Sequence, residues 1–281
     1  MYLKIFICGL LLMLASCGGT NQSAEKENIT VSILPIKFFV DKISGGDFNV
    51  KVMVPPGASP ETFEPTALQM KELAGSKTYF SFDLMEFEVA NRVMIKENFK
   101  CVDYVNLSDS MAVAQHKHCD CGHHHGVDPH VWLSFENAKI MARNICNRLV
   151  ELKPENKNTY TQRTDNLIDS INQLKHFAVT KIQKGRAFLI YHPSLSYFAE
   201  ELNIKQIAIE KDGKEPSVTE IKSLINNSLQ DSIKVLLYQK QFGSHVVDAI
   251  TNELHITPMV FDPLEYEWLV NMRRIINLLS K

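Results

Sequence analysis

Short apolar runs alternate along the chain with segments whose apolar residues keep helical spacing, and this alternation occurs twice. In the first half it predicts strands at Ile29–Leu34, Phe48–Val54, Thr78–Phe82 and Cys101–Asn106, with helices at Lys37–Ile43, Ala67–Ala74 and Leu84–Phe99. The second half repeats the plan, with strands at Ala187–Tyr191, Lys205–Ile209, Ile233–Tyr238 and Pro258–Phe261, and helices at Leu195–Leu202, Val218–Asn227, His245–Leu254 and Tyr266–Leu279. The pattern predicts an α/β fold of two (β/α)4-type lobes with parallel sheets covered by helices.

The segment between the two halves has almost no strand pattern. Ser134 can cap a helix that runs to Leu152, and Lys153-Pro154 breaks it. Glu155 to Gln183 then continues without glycine or proline, which as one helix would span about 44 Å. An ordinary surface helix fits the same pattern, but the position between two βα halves favours a long rigid helix that joins the lobes. The predicted organisation is an N-terminal lobe at 29–152, a linking helix at 155–183 and a C-terminal lobe at 184–281.

The N-terminus predicts export and a lipid anchor. Lys4 precedes a ten-residue apolar run, Ile5 to Leu14, which is too short to span a bilayer. Leu14-Ala15-Ser16-Cys17 looks like a bacterial lipobox, so residues 1–16 are a predicted lipoprotein signal peptide and Cys17 the lipidated residue. An ordinary signal peptide is the alternative. Residues 17–28 are a predicted tether that leaves the protein at the cell envelope, facing the periplasm or the cell surface.

Charge and cysteine content exclude two classes of protein. The formal net charge of −2 gives no electrostatic case for binding nucleic acid. The 6 cysteines do not form a disulfide scaffold, because Cys8 leaves with the signal peptide and Cys17 carries lipid. The pair Cys101 and Cys146 could form a bridge in an oxidising compartment, but the sequence leaves this open.

A tract rich in histidine and cysteine indicates a metal. Residues 116–133 read HKHCDCGHHHGVDPHVWL, and the loop at 115–126 has no apolar periodicity that would make it one face of a helix. Imidazole and thiolate bind borderline-soft ions, above all zinc and copper. We therefore predict an accessory metal-binding loop that uses His116, His118, Cys119, Cys121, His123, His124 and His125.

The ends of the predicted strands indicate a second, tighter site. Parallel sheets bind ligands outside the carboxyl ends of their strands. Potential metal ligands follow four strands, two in each lobe, and we predict that they hold one ion in the cleft between the lobes: Glu61, His130, His192 and Asp262. Taken singly, each has another interpretation, since His130 could cap a turn, Asp262 could cap the last helix and Glu61 could be a solvated carboxylate.

Five motifs are spread over nearly all of the mature chain: PPGASPETFEPT near 55–66, DPHVWLS at 128–134, YHPSLSYFAEELNI at 191–204, GKEPS at 213–217 and FDPL at 261–264. Together they resemble the metal-binding lipoproteins of bacterial ABC importers for zinc and manganese. The resemblance is nearer to the high-affinity zinc-uptake members, in which a histidine-rich insert before DPHVW is typical. It implies two (β/α)4-type lobes joined by one long rigid helix, and His130, His192 and Asp262 as metal ligands.

One position departs from the family pattern. Glu61 stands where the family usually has histidine, so two imidazoles and two carboxylates form the first ligand set that we consider. Carboxylate is a harder ligand and shifts preference toward manganese or iron, whereas the Irving–Williams order still ranks zinc above manganese. We predict Zn2+, with Mn2+ as the alternative. A site in which Glu61 stays outside the coordination shell and water completes it also remains open.

The resemblance implies a binding protein and not an enzyme. It would be a monomer that captures the ion and delivers it to an ABC transporter permease in the cytoplasmic membrane, with the ATPase acting indirectly. We hypothesise that the histidine loop collects extra ions weakly. A zinc-dependent hydrolase is a remote alternative, because catalytic zinc keeps an open position that four protein ligands would fill. No motif supports a third possibility, a surface adhesin.

Overall fold

The structure is a computed structural model that describes residues 26–113, 127–210, 213–239 and 244–281. The predicted lipidation residue Cys17 and the whole predicted histidine loop, 115–126, lie outside the described residues. In the described ranges, every predicted helix and strand has a counterpart, and all eight strands are shorter than predicted.

The first lobe is built on a four-stranded parallel sheet. Its strands are β1 (Asn28–Val31), β2 (Asn49–Val52), β3 (Thr78–Ser81) and β4 (Asp103–Asn106), in the order β2-β1-β3-β4. The connecting helices are α1 (Leu34–Ser44), α2 (Ala67–Ala74) and α3 (Glu86–Asn98). Helix α1 begins three residues earlier than predicted, because Pro35 lies in its first turn, where a missing N–H costs no hydrogen bond.

The second lobe repeats this topology. Its strands are β5 (Ala187–Ile190), β6 (Lys205–Ala208), β7 (Leu236–Tyr238) and β8 (Pro258–Val260), all parallel and in the order β6-β5-β7-β8. Its helices are α6 (Ser196–Leu202), α7 (Val218–Gln230), α8 (Ser244–Leu254) and α9 (Trp268–Leu279). The confirmed fold class is therefore α/β with two lobes, each containing a four-stranded parallel sheet.

Two long helices run between the lobes. Helix α4 (Phe135–Leu152) begins at Ser134, whose side chain accepts a hydrogen bond from the N–H of Asn137. A 3-10 turn follows at Pro154–Asn156 and leads into α5 (Lys157–Lys181), which has 25 residues and is therefore about 37 Å long. Helix α5 packs against α1, α4 and α9 and so contacts both lobes.

One hydrophobic core extends through most of the molecule. It contains Phe38 and Phe80 of the first lobe, Ile171 of α5, and Phe198 and Ile276 of the second lobe, all essentially inaccessible to solvent. A smaller separate core lies on the outer face of the second sheet. Because the lobes share a core, their relative orientation is fixed by packing as well as by the linking helix.

Two observations concern the predictions on cysteines and membrane spans. Cys101 is exposed and Cys146 is buried, and both are free thiols, so the bridge that the sequence left open does not form. Across the described ranges, no helix is long and apolar enough to cross a membrane.

Candidate metal site

Glu61 lies in the loop that follows β2. The loop turns at Gly57, where a φ of 83° suits glycine, and the backbone N–H of Glu61 donates to Ser59 Oγ over 3.3 Å. The N–H of Thr62 donates to the carbonyl of Ser59. These local bonds leave the Glu61 side chain 39% exposed, so it is the most accessible member of the site.

His130 is held by Asp128, two residues before it. Oδ1 of Asp128 accepts hydrogen bonds from the backbone N–H of His130 at 3.0 Å and from its Nδ1 at 2.8 Å. Burial by itself raises the pKa of the Asp128 carboxyl, but its bonds with His130 outweigh burial and the pKa is lowered overall. Asp128 therefore remains an acceptor for Nδ1–H, which leaves Nε2 as the nitrogen of His130 that could bind a metal.

His192 follows β5 and contacts a buried carboxylate from the neighbouring strand. The N–H of Glu210, two residues beyond β6, donates to the carbonyl of Tyr191 at 3.0 Å and so places Glu210 beside His192. Glu210 Oε1 lies 2.7 Å from Nδ1 of His192. His192 is 9% exposed and Glu210 8%, so the bond is shielded from water.

Three of the four predicted ligands converge on one point. One ligand atom from each of Glu61, His130 and His192 lies within 4.8 Å of the others. The Nε2 atoms of the two histidines are 3.4 Å apart, and Glu61 Oε1 is 2.7 Å from His192 Nε2. Two nitrogens bound to one tetrahedral zinc at 2.0–2.1 Å are separated by about 3.3 Å, so the histidine spacing fits a shared ion.

The electrostatics of the cluster favour a cation. Burial lowers the pKa of His192, but the hydrogen bonds and negative charges of Glu210 and Glu61 outweigh burial and raise it to about 9. Burial raises the pKa of Glu61, whereas the hydrogen bond and positive charge of His192 lower it, and the lowering prevails. A metal ion would take the place of the proton between Glu61 and His192.

The cluster opens into a cavity of about 170 Å3 between the lobes. Met85 and Leu84 line it from the first lobe, Gln239 and Leu264 line it from the second, and Trp132 forms part of its wall. The cavity would give an ion a route to the three clustered side chains, and its mainly apolar wall lowers the local dielectric, which would strengthen their attraction for an ion.

The fourth predicted ligand, Asp262, lies outside the cluster. It is an exposed residue whose Oδ1 accepts a hydrogen bond from the N–H of Leu264 at 2.8 Å, and its carbonyl accepts one from Asn271. It lines a different cavity, beside Pro55 and Tyr266. Nor does Asp262 cap the last helix, since the residue at the N-cap of α9 is Glu267. In this geometry Asp262 closes a turn and is not brought to the cluster, and its role as a ligand stays a prediction.

Two carboxylates that contact the ligands were not predicted as site residues. Asp128 bonds to His130, and Glu210 bonds to His192. Both could have been found from the sequence. Asp128 stands two residues before His130, and Glu210 directly follows the predicted strand Lys205–Ile209, so it satisfies the same strand-end rule that selected the ligands.

Comparison with known proteins agrees with this architecture. The sequence model of the family described as the zinc-uptake complex component A, a periplasmic protein (ZnuA), matches residues 29–281. The chain belongs to this family. Family membership makes it a solute-binding protein and not an enzyme, so the alternative of a zinc-dependent hydrolase is discarded.

Individual relatives are distant in sequence. The zinc-binding lipoprotein AdcA of Streptococcus pneumoniae (strain ATCC BAA-255 / R6) is 25% identical over 271 residues, which are 92% of this chain and 54% of AdcA, so the chain spans about half of that relative. The high-affinity zinc uptake system protein ZnuA of Bacillus subtilis (strain 168) is 24% identical over 92% of this chain and 87% of its own length.

Two solved structures have the same fold as the chain at slightly higher sequence identity. A crystal structure of ZnuA superposes with a TM-score of 0.82 at 28% identity and covers 91% of this chain and 98% of the other. A ZnuA deletion mutant with zinc bound gives a TM-score of 0.81 at 29% identity, covering 91% and 97%.

Proposed function

We propose that this protein is the extracytoplasmic binding subunit of an ABC importer, which captures a divalent metal ion, Zn2+, between its lobes. The observation that carries the proposal is the convergence of Glu61, His130 and His192 at the cleft, with the two Nε2 atoms 3.4 Å apart. Family membership and the zinc-binding names of AdcA and ZnuA support zinc as the ion. Binding is reversible, and no covalent bond of the cargo changes.

The proposed ligands are His130 Nε2, His192 Nε2 and a carboxylate oxygen of Glu61. Zinc accepts both imidazole nitrogen and carboxylate oxygen, and three protein ligands leave one coordination position for water. Two neutral imidazoles with one carboxylate would be a mixed set, in which nitrogen favours zinc and oxygen tolerates manganese. Zinc is preferred because the Irving–Williams order ranks it above manganese for the same ligands, and Mn2+ is the alternative cargo.

Delivery of the ion would involve partners outside the chain. We propose that the loaded monomer docks on a permease in the cytoplasmic membrane, that the associated ATPase drives release, and that a lipid on Cys17 keeps the protein at the membrane. The accessory loop with His116, His118, Cys119, Cys121, His123, His124 and His125 would hold further ions weakly near the cleft.

The ligand set is tested by removing one carboxylate at a time without changing side-chain volume. Glu61→Gln is expected to weaken zinc binding by at least about tenfold, because a neutral amide replaces a charged ligand. Asp262→Asn is expected to leave the zinc affinity within about threefold, since Asp262 lies outside the cluster. Competition titration with a chelator of known zinc affinity measures both.

Glu64→Gln is the matched control, since Glu64 is an exposed carboxylate in the same loop. Equal affinities for wild type and Glu61→Gln would remove Glu61 from the coordination shell. A large loss in Asp262→Asn would instead restore the four-ligand set that the sequence predicted.

A further inference from the structure

A buried carboxylate bonds to Nδ1 of each histidine in the cluster, on the side of the ring away from the other histidine. Asp128 bonds to Nδ1 of His130 and Glu210 bonds to Nδ1 of His192, at 2.8 and 2.7 Å. The two carboxylates differ in how they are bound to the fold. Asp128 also accepts a hydrogen bond from the backbone and so has a structural role in its turn, whereas the bond that joins the Glu210 side chain to the described residues is the one to His192.

The position of Glu210 determines which tautomer of His192 binds a metal. If Nε2 coordinates the ion, the neutral ring must carry its proton on Nδ1, and that N–H needs an acceptor inside the protein. Glu210 Oε1 is that acceptor, and the charge on the carboxylate draws the Nδ1 proton and increases electron density at Nε2. His192 thereby becomes a stronger nitrogen donor than an imidazole bonded to a neutral carbonyl.

The donor strength of His192 affects which metal the site prefers. The proposed ligand Glu61 is a hard oxygen donor that also suits manganese, so preference for zinc depends on the nitrogen donors. The energy gained from a stronger nitrogen donor is larger for zinc than for manganese, which binds nitrogen weakly. On the basis of the proposed function, we infer that Glu210 is a positioning residue that fixes the ring of His192 and raises the selectivity of the site for zinc over manganese. This role is distinct from ligation, since Glu210 contacts Nδ1 of His192 and the proposed metal ligand is Nε2.

The test compares Zn2+ and Mn2+ affinities of wild type and Glu210→Gln by competition titration. Glutamine keeps the shape and an acceptor oxygen but removes the charge. The expected zinc affinity is about 10–100-fold weaker, which is the range for loss of such partners. The manganese affinity should change less, so that the ratio of zinc to manganese affinity falls on the order of tenfold. The visible absorption bands of the Co2+-loaded variant should shift, because they report ligand strength at the ion.

Glu201→Gln is the control for a general loss of stability. Glu201 is another largely buried carboxylate, but it bonds to Ser134 and Lys175 away from the cluster. Its substitution should leave the affinity ratio and the Co2+ spectrum unchanged. An unchanged zinc affinity in Glu210→Gln, an equal loss for both metals, or the same change in Glu201→Gln would each overturn the inference.

A measurement on the wild type keeps the inference testable if Glu210→Gln fails to fold. In the zinc-loaded protein labelled with 15N, His192 should carry its proton on Nδ1, and a proton on Nε2 would overturn the inference. Wild-type protein that binds no zinc contradicts the proposed function itself. Zinc binding that is normal in both wild type and Glu210→Gln contradicts only the role of Glu210.

Discussion

His192 lies between two carboxylates, with Glu61 at one ring nitrogen and Glu210 at the other. Such an imidazole holds its proton well above the ordinary range, and its pKa is raised to about 9 in the metal-free protein. A zinc ion bound at the proposed site would therefore compete with a proton for Nε2 at neutral pH. The onset of this competition would therefore lie above the unperturbed imidazole pKa of about 6.5.

The first prediction concerns pH. Because His192 must lose its proton to bind zinc, affinity should fall as pH decreases through about 9, by roughly tenfold per pH unit, with about one proton released for each ion. Zinc titrations at pH 8 and pH 7 in buffers of different ionisation enthalpy measure both quantities. Equal affinity at the two pH values, with no proton released, would show that the His192 proton does not compete with the ion.

The two histidines should each be necessary for tight binding. His130→Ala or His192→Ala removes one of two imidazoles and takes the imidazole partner from a buried carboxylate, Asp128 or Glu210. Each variant is expected to lose stoichiometric tight binding, whereas His124→Ala in the accessory loop should retain it. Equilibrium dialysis with zinc at low concentration distinguishes the variants, and tight binding by His192→Ala would refute the proposed ligand set.

At the scale of elements, the turn that carries His130 is attached to the opposite lobe. The indole of Trp132 donates to the carbonyl of Pro263, and the indole of Trp268 donates to the carbonyl of Trp132, each at 2.8 Å. The hydroxyl of Tyr197 donates to the carbonyl of Asp128 at 2.7 Å. These bonds hold the turn that carries His130 to the second lobe, whereas Glu61 lies on a more exposed loop.

Loss of one of these bonds should reduce stability. Trp132→Phe keeps a buried aromatic ring but leaves the carbonyl of Pro263 without its donor, which costs about 1–3 kcal/mol of unfolding free energy. Urea unfolding of the metal-free protein measures the change. A difference below about 0.5 kcal/mol would mean that water or a neighbouring group replaces the indole.

The elements show which parts of the fold a sequence can predict. The alternation of apolar runs predicted all eight strands of the described ranges, since the strands of a parallel sheet covered by helices are rich in apolar residues. The predicted linking helix, 155–183, is longer than α5 (Lys157–Lys181). At its start, Pro154–Asn156 forms a 3-10 turn, and the sequence pattern does not distinguish this turn from the first turn of the helix. Asp262 satisfied the strand-end rule but closes a turn, since the rule gives the edge of the sheet and not the direction of a side chain.

At the scale of the whole molecule, a shared core and the helix α5 oppose wide movement of the lobes. Arg163 of α5 donates to the carbonyl of Ser44 at the end of α1, and Lys175 of α5 bonds to Glu201 on α6. The linking helix is thus attached to both lobes. Capture of an ion should therefore involve loops at the cleft and small tilts, not a hinge between independent domains.

The proposed accessory loop gives a prediction about the total amount of zinc that the protein binds. Deletion of residues 115–126 should reduce the total zinc bound at high zinc concentration, because five histidines and two cysteines are removed. The tight site should keep its affinity, since its proposed ligands lie outside the deletion. Metal analysis after dialysis against a range of zinc concentrations tests this, and an unchanged total would remove the proposed collecting role.

Glu61, His130 and His192 are the proposed ligands of one zinc ion. X-ray absorption spectroscopy of the protein lacking residues 115–126, loaded with one equivalent of zinc, tests this ligand set most directly. The predicted spectrum has two imidazole nitrogens at about 2.0–2.1 Å and the remaining scatterers oxygen. A sulfur scatterer near 2.3 Å, or more than two imidazoles, would contradict the proposed site.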